Sequence, residues 1–453
     1  LAAFEKGIID TLDLYNKLGK NIHIIEQPPL QNISAKNIYY RSIDKDLKKQ
    51  ILYSDEDLPK SSLSLTSRGI KENHNEHLPW HICSIVDPSK DNKLYNSRIL
   101  NELERGASSI EISYLPNNNF DELFNNIDLS IAPIFLRNHK DPIKSSKKFL
   151  DLLEDWKGVN KKEPLGGIDI DPIAVKAKHN SSLNTQLNDH NNFEDLYEDY
   201  KGIIKDKDQT NLSLINFDGS IWNELGSTLI EEISLLISSF IEGVKKGTIK
   251  RETAVNFTIS LDTDFFLNIA KIRALRLIIN DLKNHFEIEP KITLTGKTSK
   301  NIIFKESPWV NQLRITNAAL SGAIANIDRL ICHHITNPLG QAPEFVKRLT
   351  RNTHIILQEE SNIGKIQDPS GGSFYIEKIT SQIAEKSFRF IKEIQKNGGL
   401  IEFIDTTNFI KNLEENQLKN QADLKSEKVK RIGVNLYPDK EIREINTKPY
   451  EEV

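Results

Sequence analysis

The sequence predicts an α/β protein built on a parallel (β/α)8 TIM barrel, with an N-terminal arm and a C-terminal helical extension. Three observations carry that reading. Short β-rich apolar runs recur from Pro79 onward, and amphipathic stretches long enough to be helices separate them. No Gly-rich phosphate loop follows any run, so the doubly wound open sheet, the main alternative, lacks its usual mark. The 453 residues exceed an average domain and leave room for one large barrel with additions.

Residues 1–70 are read as the arm. Phe4 to Leu18 has helical character, and Gln27-Pro28-Pro29 ends that piece. The scattered apolar residues cannot form a core of their own, so the arm is expected to pack on a partner or on the barrel. The barrel is expected over residues 71–335. Its strands are placed at Trp80–Val86, Ser109–Tyr114, Leu129–Phe135, Gly166–Asp169, Leu212–Phe217, Asn256–Leu261, Lys291–Thr295 and Asp328–Cys332. Helices are placed at Leu94–Arg105, Ile143–Trp156, Thr228–Val244 and Asp264–Leu282. Thr228 and Glu231 form a capping box, and Phe265, Ile269, Ile272, Leu275, Ile279 and Leu282 share one face. Lys176–Gln209, rich in Asn, Asp and Lys, reads as a surface excursion with one helix at Phe193–Ile204. Residues 336–453 read as a charged helical extension and linker. Alternation is expected to turn some of Ile82, Ile110, Ile112, Ile131, Leu214 and Leu330 inward and close the barrel axis with aliphatic side chains.

Composition narrows the function. A net charge of −4 gives no basic footprint for nucleic acid. Two cysteines, Cys83 and Cys332, cannot make a disulfide framework, which points to a reducing, cytoplasmic setting. No apolar run reaches membrane-span length, and Leu1–Leu14, with Glu5, Asp10 and Asp13, is not a secretory signal. His74, His77 and His81 have suggestive spacing, but no Cys or Asp completes a metal set, so no metal site is expected. His333 and His334 are adjacent and are read as surface or loop histidines. No Ser-His-Asp arrangement or P-loop is present.

Two blocks say more. Arg351-Asn352-Thr353 leads to Gln358-Glu359-Glu360-Ser361, on a helix that starts near Pro343 with a stripe of Phe345, Val346, Leu349, Ile356 and Leu357 and stops at Asn362 or Gly364. Asp368-Pro369 then leads through Gly371-Gly372-Ser373 to Tyr375-Ile376-Glu377, a tight turn entering a helix. Together these blocks resemble the adenosylcobalamin-dependent acyl-CoA mutases, the methylmalonyl-CoA mutase family. Leu52–Pro59 and Gly433-Val434-Asn435-Leu436-Tyr437 resemble further segments of it.

The resemblance implies a barrel that holds acyl-CoA along its axis, facing a separate domain whose D-x-H-x-x-G histidine ligates cobalamin. Several parts of that pattern are missing here. No D-x-H-x-x-G occurs. The block around the substrate His becomes Gly219-Ser220-Ile221-Trp222-Asn223-Glu224-Leu225-Gly226-Ser227, with Ile221 in place of the His and no hydrogen bond to offer. The T-x-R-Q-Y block becomes Trp80–Pro88 and has no Tyr. No Arg for the substrate carboxylate stands out between Ile170 and Leu212, and the G-x-T-Q loop becomes Ala325-Asn326-Ile327-Asp328. Glu360 matches a Glu near the adenosyl ribose and is the one cofactor-binding candidate. No residue is assigned a catalytic role.

This pattern is similar to that of the small, non-catalytic subunit of heterodimeric mutases. Pro79-Trp80, Asp87-Pro88, Arg105–Ser109, Trp156-Lys157-Gly158 and Gly167–Pro172 carry the likeness. It implies a small (beta) subunit-like chain that supports a catalytic large subunit interconverting methylmalonyl-CoA and succinyl-CoA. On that reading adenosylcobalamin and acyl-CoA belong to the complex and the partner, not to this chain alone. Two alternatives stand beside it: an active acyl-CoA mutase barrel using a separately encoded cobalamin-binding protein, and a non-catalytic barrel that binds a CoA ester or another partner.

Overall fold

The computed structural model describes residues 79–450 apart from 114–117, 138–141, 157–161, 180, 182–192, 205–211, 367–368 and 440–442. The expected arm, with His74 and His77, lies outside the described residues. Eight parallel strands run β1 (His81–Ile85), β2 (Ser109–Ser113), β3 (Ile134–Arg137), β4 (Gly166–Asp169), β5 (Ile215–Asp218), β6 (Ala254–Leu261), β7 (Lys291–Thr298) and β8 (Arg329–Ile331). Their spatial order is β4-β3-β2-β1-β8-β7-β6-β5. Hydrogen bonds from Ile168 N to Ser213 O and from Ser213 N to Gly166 O join β4 to the approach of β5 and complete the ring.

That closure depends on two glycines. Gly166 has φ +120°, and a Cβ there would lie 2.1 Å from the Ile134 carbonyl oxygen. A Cβ on Gly167 would lie 1.9 Å from the Ser213 carbonyl oxygen. Neither position tolerates a side chain, because backbone presses on β4 from both sides.

The strands mark where the expectations shift. β3 begins at Ile134, not Leu129. Asp128 accepts bonds from Ser130 N and Oγ, its carbonyl takes Ala132 N, and this turn leaves Ile131 71% exposed. β5 begins at Ile215, and β7 runs on to Thr298. The expected excursion from Lys176 starts inside a helix, because Pro172–His179 is helical and buries Ile173, Ala174 and Ala177.

The connecting helices are α1 (Asn92–Glu104), α2 (Phe120–Leu123), α3 (Pro142–Asp155), α4 (Pro172–His179), α5 (Phe193–Ile204), α6 (Gly219–Glu224), α7 (Leu229–Lys245), α8 (Phe265–Phe286), α9 (Pro308–Ile324) and α10 (Glu344–Ile355). Asp91, Thr228 and Asp264 cap α1, α7 and α8, and the Thr228/Glu231 capping box is formed in both directions. The core lies between strands and helices, where Phe217, Phe257 and Phe240 pack with ring centroids 5.3–6.4 Å apart.

Strand alternation overturns the aliphatic axis. Glu111 of β2 bonds Lys297 of β7, and Asp169 of β4 bonds Arg329 of β8; in neither case are the two strands neighbours. Those side chains therefore cross the interior. Ile110, Ile112 and Leu330 alternate with them and pack in the core toward the helices; Ile82 is buried and alternates with Cys83, which lies among the interior charges.

Beyond α10 the helix widens into a π turn over Ile356–Glu360, and Asn362 ends it at φ 53°. The expected stripe holds at Val346 and Leu357. It fails at Phe345 and Ile356, which are about half exposed, and Phe345 instead stacks on Trp309. Three helices follow, α11 (Phe374–Lys396), α12 (Leu400–Thr406) and α13 (Phe409–Lys425). They cover α4, α6 and α7 through a second apolar cluster of Ile173, Trp222, Leu235, Leu400, Phe403 and Leu413.

Replacing Gly166 by Ala is expected to cost at least about 3 kcal/mol of stability, through strain and the clash with Ile134. Urea unfolding of the full chain measures it, and a loss below about 1 kcal/mol would show that β4 can yield.

Candidate functional site

Parallel barrels present their chemistry at the C-terminal ends of the strands. Here that mouth sits above a plug of charge. Arg329 begins β8 and reaches across the axis. Its Nη2 donates to Asp169 Oδ2 at 2.6 Å, its Nε donates to Thr295 Oγ1 at 2.9 Å, and its guanidinium lies 3.5 Å from the Phe135 ring centre. Burial pushes the Asp169 carboxyl up to about 6, and Arg329 opposes that rise only in part. Two residues nearer the mouth in the β7–β8 register, Lys297 Nζ donates to both Glu111 oxygens at 2.7 and 3.0 Å. Burial raises the Glu111 carboxyl, but Lys297 and Arg137 outweigh it and bring it down to about 2. All four side chains of the two pairs are 5% exposed or less, so the axis is closed to water at this level.

The rim carries a second set. Glu224, at the end of α6, is held by Lys178 and Lys300, each at 2.7 Å. Burial would raise its carboxyl; the two ammonium groups win and hold it well below the usual carboxylate range. Arg137 ends β3, 3.8 Å from Glu111. His333 and His334 follow β8. They lie in the loop expected for them, but not at the surface: both are buried. His333 Nδ1 is 2.6 Å from the Thr298 carbonyl oxygen, and His334 Nδ1 is 3.0 Å from Thr350 Oγ1. Burial, then the charges of Lys297, Lys300 and Arg137, hold His333 well below its ordinary value. The tail crosses this side of the barrel: Gln341 N donates to Lys448 O at 2.8 Å, and Tyr450 Oη donates to Asn337 O at 3.1 Å. Burial and the nearby Asp87 push the Tyr450 hydroxyl up to about 12.

The sequence-derived candidates fall elsewhere. Ile221 turns away from the axis and packs against the second apolar cluster. Ala325–Asp328 precedes β8 at the barrel's N-terminal end, where Arg276 Nη1 donates to Ala325 O at 2.6 Å and Asp328 Oδ2 accepts Leu294 N at 2.8 Å. Glu360 is exposed at that same end, two residues past Gln358, whose Nε2 donates to Trp80 O at 2.7 Å. His81 is exposed there too, and among the described residues no group of His, Cys, Asp or Glu could hold a metal ion.

The two blocks that carried the family likeness are clamps. Arg351 Nη1 meets Glu102 Oε1 of α1 at 2.5 Å. Arg273 of α8 donates to Glu377 Oε1 at 2.6 Å and to Ser370 Oγ at 3.0 Å, and Gly372 N donates to the same Glu377 oxygen at 3.2 Å. Sequence reading missed the interior set of Glu111, Arg137, Lys297, Arg329 and His333. Its signal was a charge in four of the short β runs, Glu111, Arg137, Lys297 and Arg329; His333 lies past β8 and carries no such mark.

Cobalamin's lower ligand needs a reachable imidazole. The two mouth histidines are 3% and 8% exposed, too deep for a bulky corrin to approach, and so do not fit that role. The deep thiols do not fit a nucleophile either, since burial pushes Cys83 up to about 12 and Cys332 higher still.

A family model described as methylmalonyl-CoA mutase matches residues 116–453. The chain is 25% identical over 418 residues to the methylmalonyl-CoA mutase small subunit of Propionibacterium freudenreichii subsp. shermanii, covering 88% of this chain and 64% of that one. It is 25% identical over 328 residues to the small subunit of Streptomyces virginiae, covering 70% and 51%. It is 26% identical over 247 residues to a probable small subunit of Mycobacterium bovis, covering 50% and 39%. The chain thus spans roughly two fifths to two thirds of the length of these relatives.

The Glu111–Lys297 pair has a pH signature. Glu111's folded value lies below its unfolded one, so its stabilisation is present above the ordinary carboxylate range and is lost as pH falls toward about 2. That contribution is on the order of 3 kcal/mol. Glu111→Gln should lower stability at pH 7 by about 3–5 kcal/mol, because Lys297 is left buried without its counter-charge. It should also flatten the acid limb in denaturation curves taken between pH 6 and 2.5.

Proposed function

The chain belongs to the methylmalonyl-CoA mutase family, and from that premise we propose that it is a small-subunit-like component supporting a catalytic partner. The partner, a large mutase subunit paired with it as a heterodimer, interconverts methylmalonyl-CoA and succinyl-CoA. This chain contributes no catalytic residue.

The observation that carries the proposal is the plugged axis. A barrel that threads an acyl-CoA along its centre needs that centre open, and here two ion pairs and the Phe135 ring occupy it. Ile221, packed into an apolar cluster, adds to it. Adenosylcobalamin and the acyl-CoA are accordingly assigned to the complex and the partner, not to this chain alone. Glu360 stays an assignment by likeness; its place at the N-terminal end of the barrel favours a structural carboxylate over a cofactor contact. Two buried free cysteines support a reducing, cytoplasmic setting. Among the described residues no helix is long and apolar enough to cross a membrane.

The purified chain, given adenosylcobalamin and methylmalonyl-CoA, should show no conversion to succinyl-CoA in a coupled assay. Turnover by the chain alone would overturn the proposal. Turnover that needs only a free-standing cobalamin-binding protein would favour the active-barrel alternative, and micromolar CoA binding by calorimetry would favour the ester-binding one.

Residues 1–70 are assigned to partner contact on the basis of their scattered apolar side chains. Removing residues 1–58 should weaken co-elution with the large subunit while the circular dichroism of the barrel persists. Full-stoichiometry co-elution of the truncated chain at nanomolar concentration would remove that assignment.

A further inference from the structure

Several buried polar atoms of the barrel lack a partner among the described residues, Asp169 Oδ1, Arg329 Nη1 and His334 Nε2 among them; two groups at the mouth bear on a ligand. Arg137 presents a guanidinium with five N–H donors, and among the described residues its one ion contact is Glu111 at 3.8 Å, a carboxylate already taken by Lys297 on both oxygens. Its side chain is 35% exposed, so it can be reached from solvent. His333 is the second. Its Nδ1 lies 2.6 Å from the Thr298 carbonyl oxygen, which can only accept, so Nδ1 carries the proton and Nε2 is a bare lone pair. His333 is 3% exposed, and among the described residues Nε2 has no partner. An orphaned buried acceptor of this kind costs free energy until something donates to it.

The charges that act on His333 define its surroundings: Lys297, Lys300, Arg137 and Glu224, all at the mouth. With Lys178, four cations there face Glu111, Glu224 and Asp218; Asp218 Oδ1 is taken up by Ser220 N and Oγ, and the neighbouring Asp171 carboxyl, which accepts Asp218 N and Ala174 N, is pushed up to about 7 by burial and carries only part of a charge. The balance favours an anion. The imidazole narrows which anion. The same cations and the burial keep His333 neutral, so Nε2 accepts and cannot donate. A carboxylate or sulfate offers Nε2 only another lone pair.

We propose that the barrel mouth binds an oxyanion that carries its own O–H: a protonated phosphate, free or as a monoester. Arg137 takes two of its oxygens as a fork, Lys300 adds charge, and the phosphate O–H donates to His333 Nε2. This site does not depend on whether the chain is catalytic, and the small-subunit reading stands or falls by other tests.

The experiment is calorimetry on the full chain at pH 5.5 and fixed ionic strength, where phosphate and its monoester both keep an O–H, with inorganic phosphate, sulfate, methyl phosphate and dimethyl phosphate. Inorganic phosphate is expected to bind at least about tenfold tighter than sulfate, the factor that one satisfied buried acceptor supplies. Dimethyl phosphate, an anion with no O–H, should bind as weakly as sulfate. Methyl phosphate binding as well as phosphate assigns the site to monoesters, and methyl phosphate binding weakly assigns it to free phosphate. Arg137→Gln should abolish measurable binding, and His333→Phe should bring phosphate down to the affinity of sulfate. Equal affinity for phosphate and sulfate, no binding of any of the four, or unchanged phosphate binding in Arg137→Gln would each overturn the proposal. The comparison among the four anions needs no variant, so it stands even if His333→Phe fails to fold.

Discussion

Placing an ion pair where water cannot reach costs several kcal/mol per ion in lost hydration, and the pair survives only with excellent geometry and further hydrogen bonds. The interior of this barrel meets that condition twice. Arg329 meets one Asp169 oxygen, Thr295 and the face of Phe135 together, and Lys297 spans both oxygens of Glu111. Each pair ties strands on opposite sides of the ring, so the strands are fixed in register by contacts that a slip would break. The ring itself closes only because Gly166 and Gly167 let backbone approach where a side chain would stand. A polar plug inside and an apolar shell outside are thus one arrangement, set by the two-residue alternation of short strands.

The same economy extends outward. Arg351 with Glu102, and Arg273 with Glu377, are buried charge pairs that fasten the last barrel helix and the first extension helix to earlier ones. The residues that made the chain recognisable therefore earn their places by holding helices together. The likeness to the family persists there although the axis is plugged.

Much of the fold was legible because strand runs, caps and turn glycines are local signals. The capping box at Thr228, the helix at Phe193–Ile204 and the stop at Asn362 all follow from neighbours in sequence. The interior was not legible, for two reasons. A charged residue in a short strand run is read as facing solvent unless its partner is known, and Glu111 and Lys297 are 186 residues apart. Strand limits set by a turn, such as the one Asp128 organises before β3, also depend on side-chain bonds that periodicity does not register. Histidines 333 and 334 were misread for a related reason: their burial comes from elements that fold over the end of β8.

The Arg351–Glu102 clamp bears on the order of assembly. Its partners are 249 residues apart, and Trp80 and His354, which also meet, are 274 apart. During synthesis the first third of the barrel emerges long before the residues that neutralise Glu102 and pair with β1. Until then a carboxylate destined for the interior stays hydrated, and β1 offers an open edge. Such a chain has no stable halfway house in which its early elements are complete. It closes late and cooperatively, and the interval before closure is when an exposed edge invites a wrong partner.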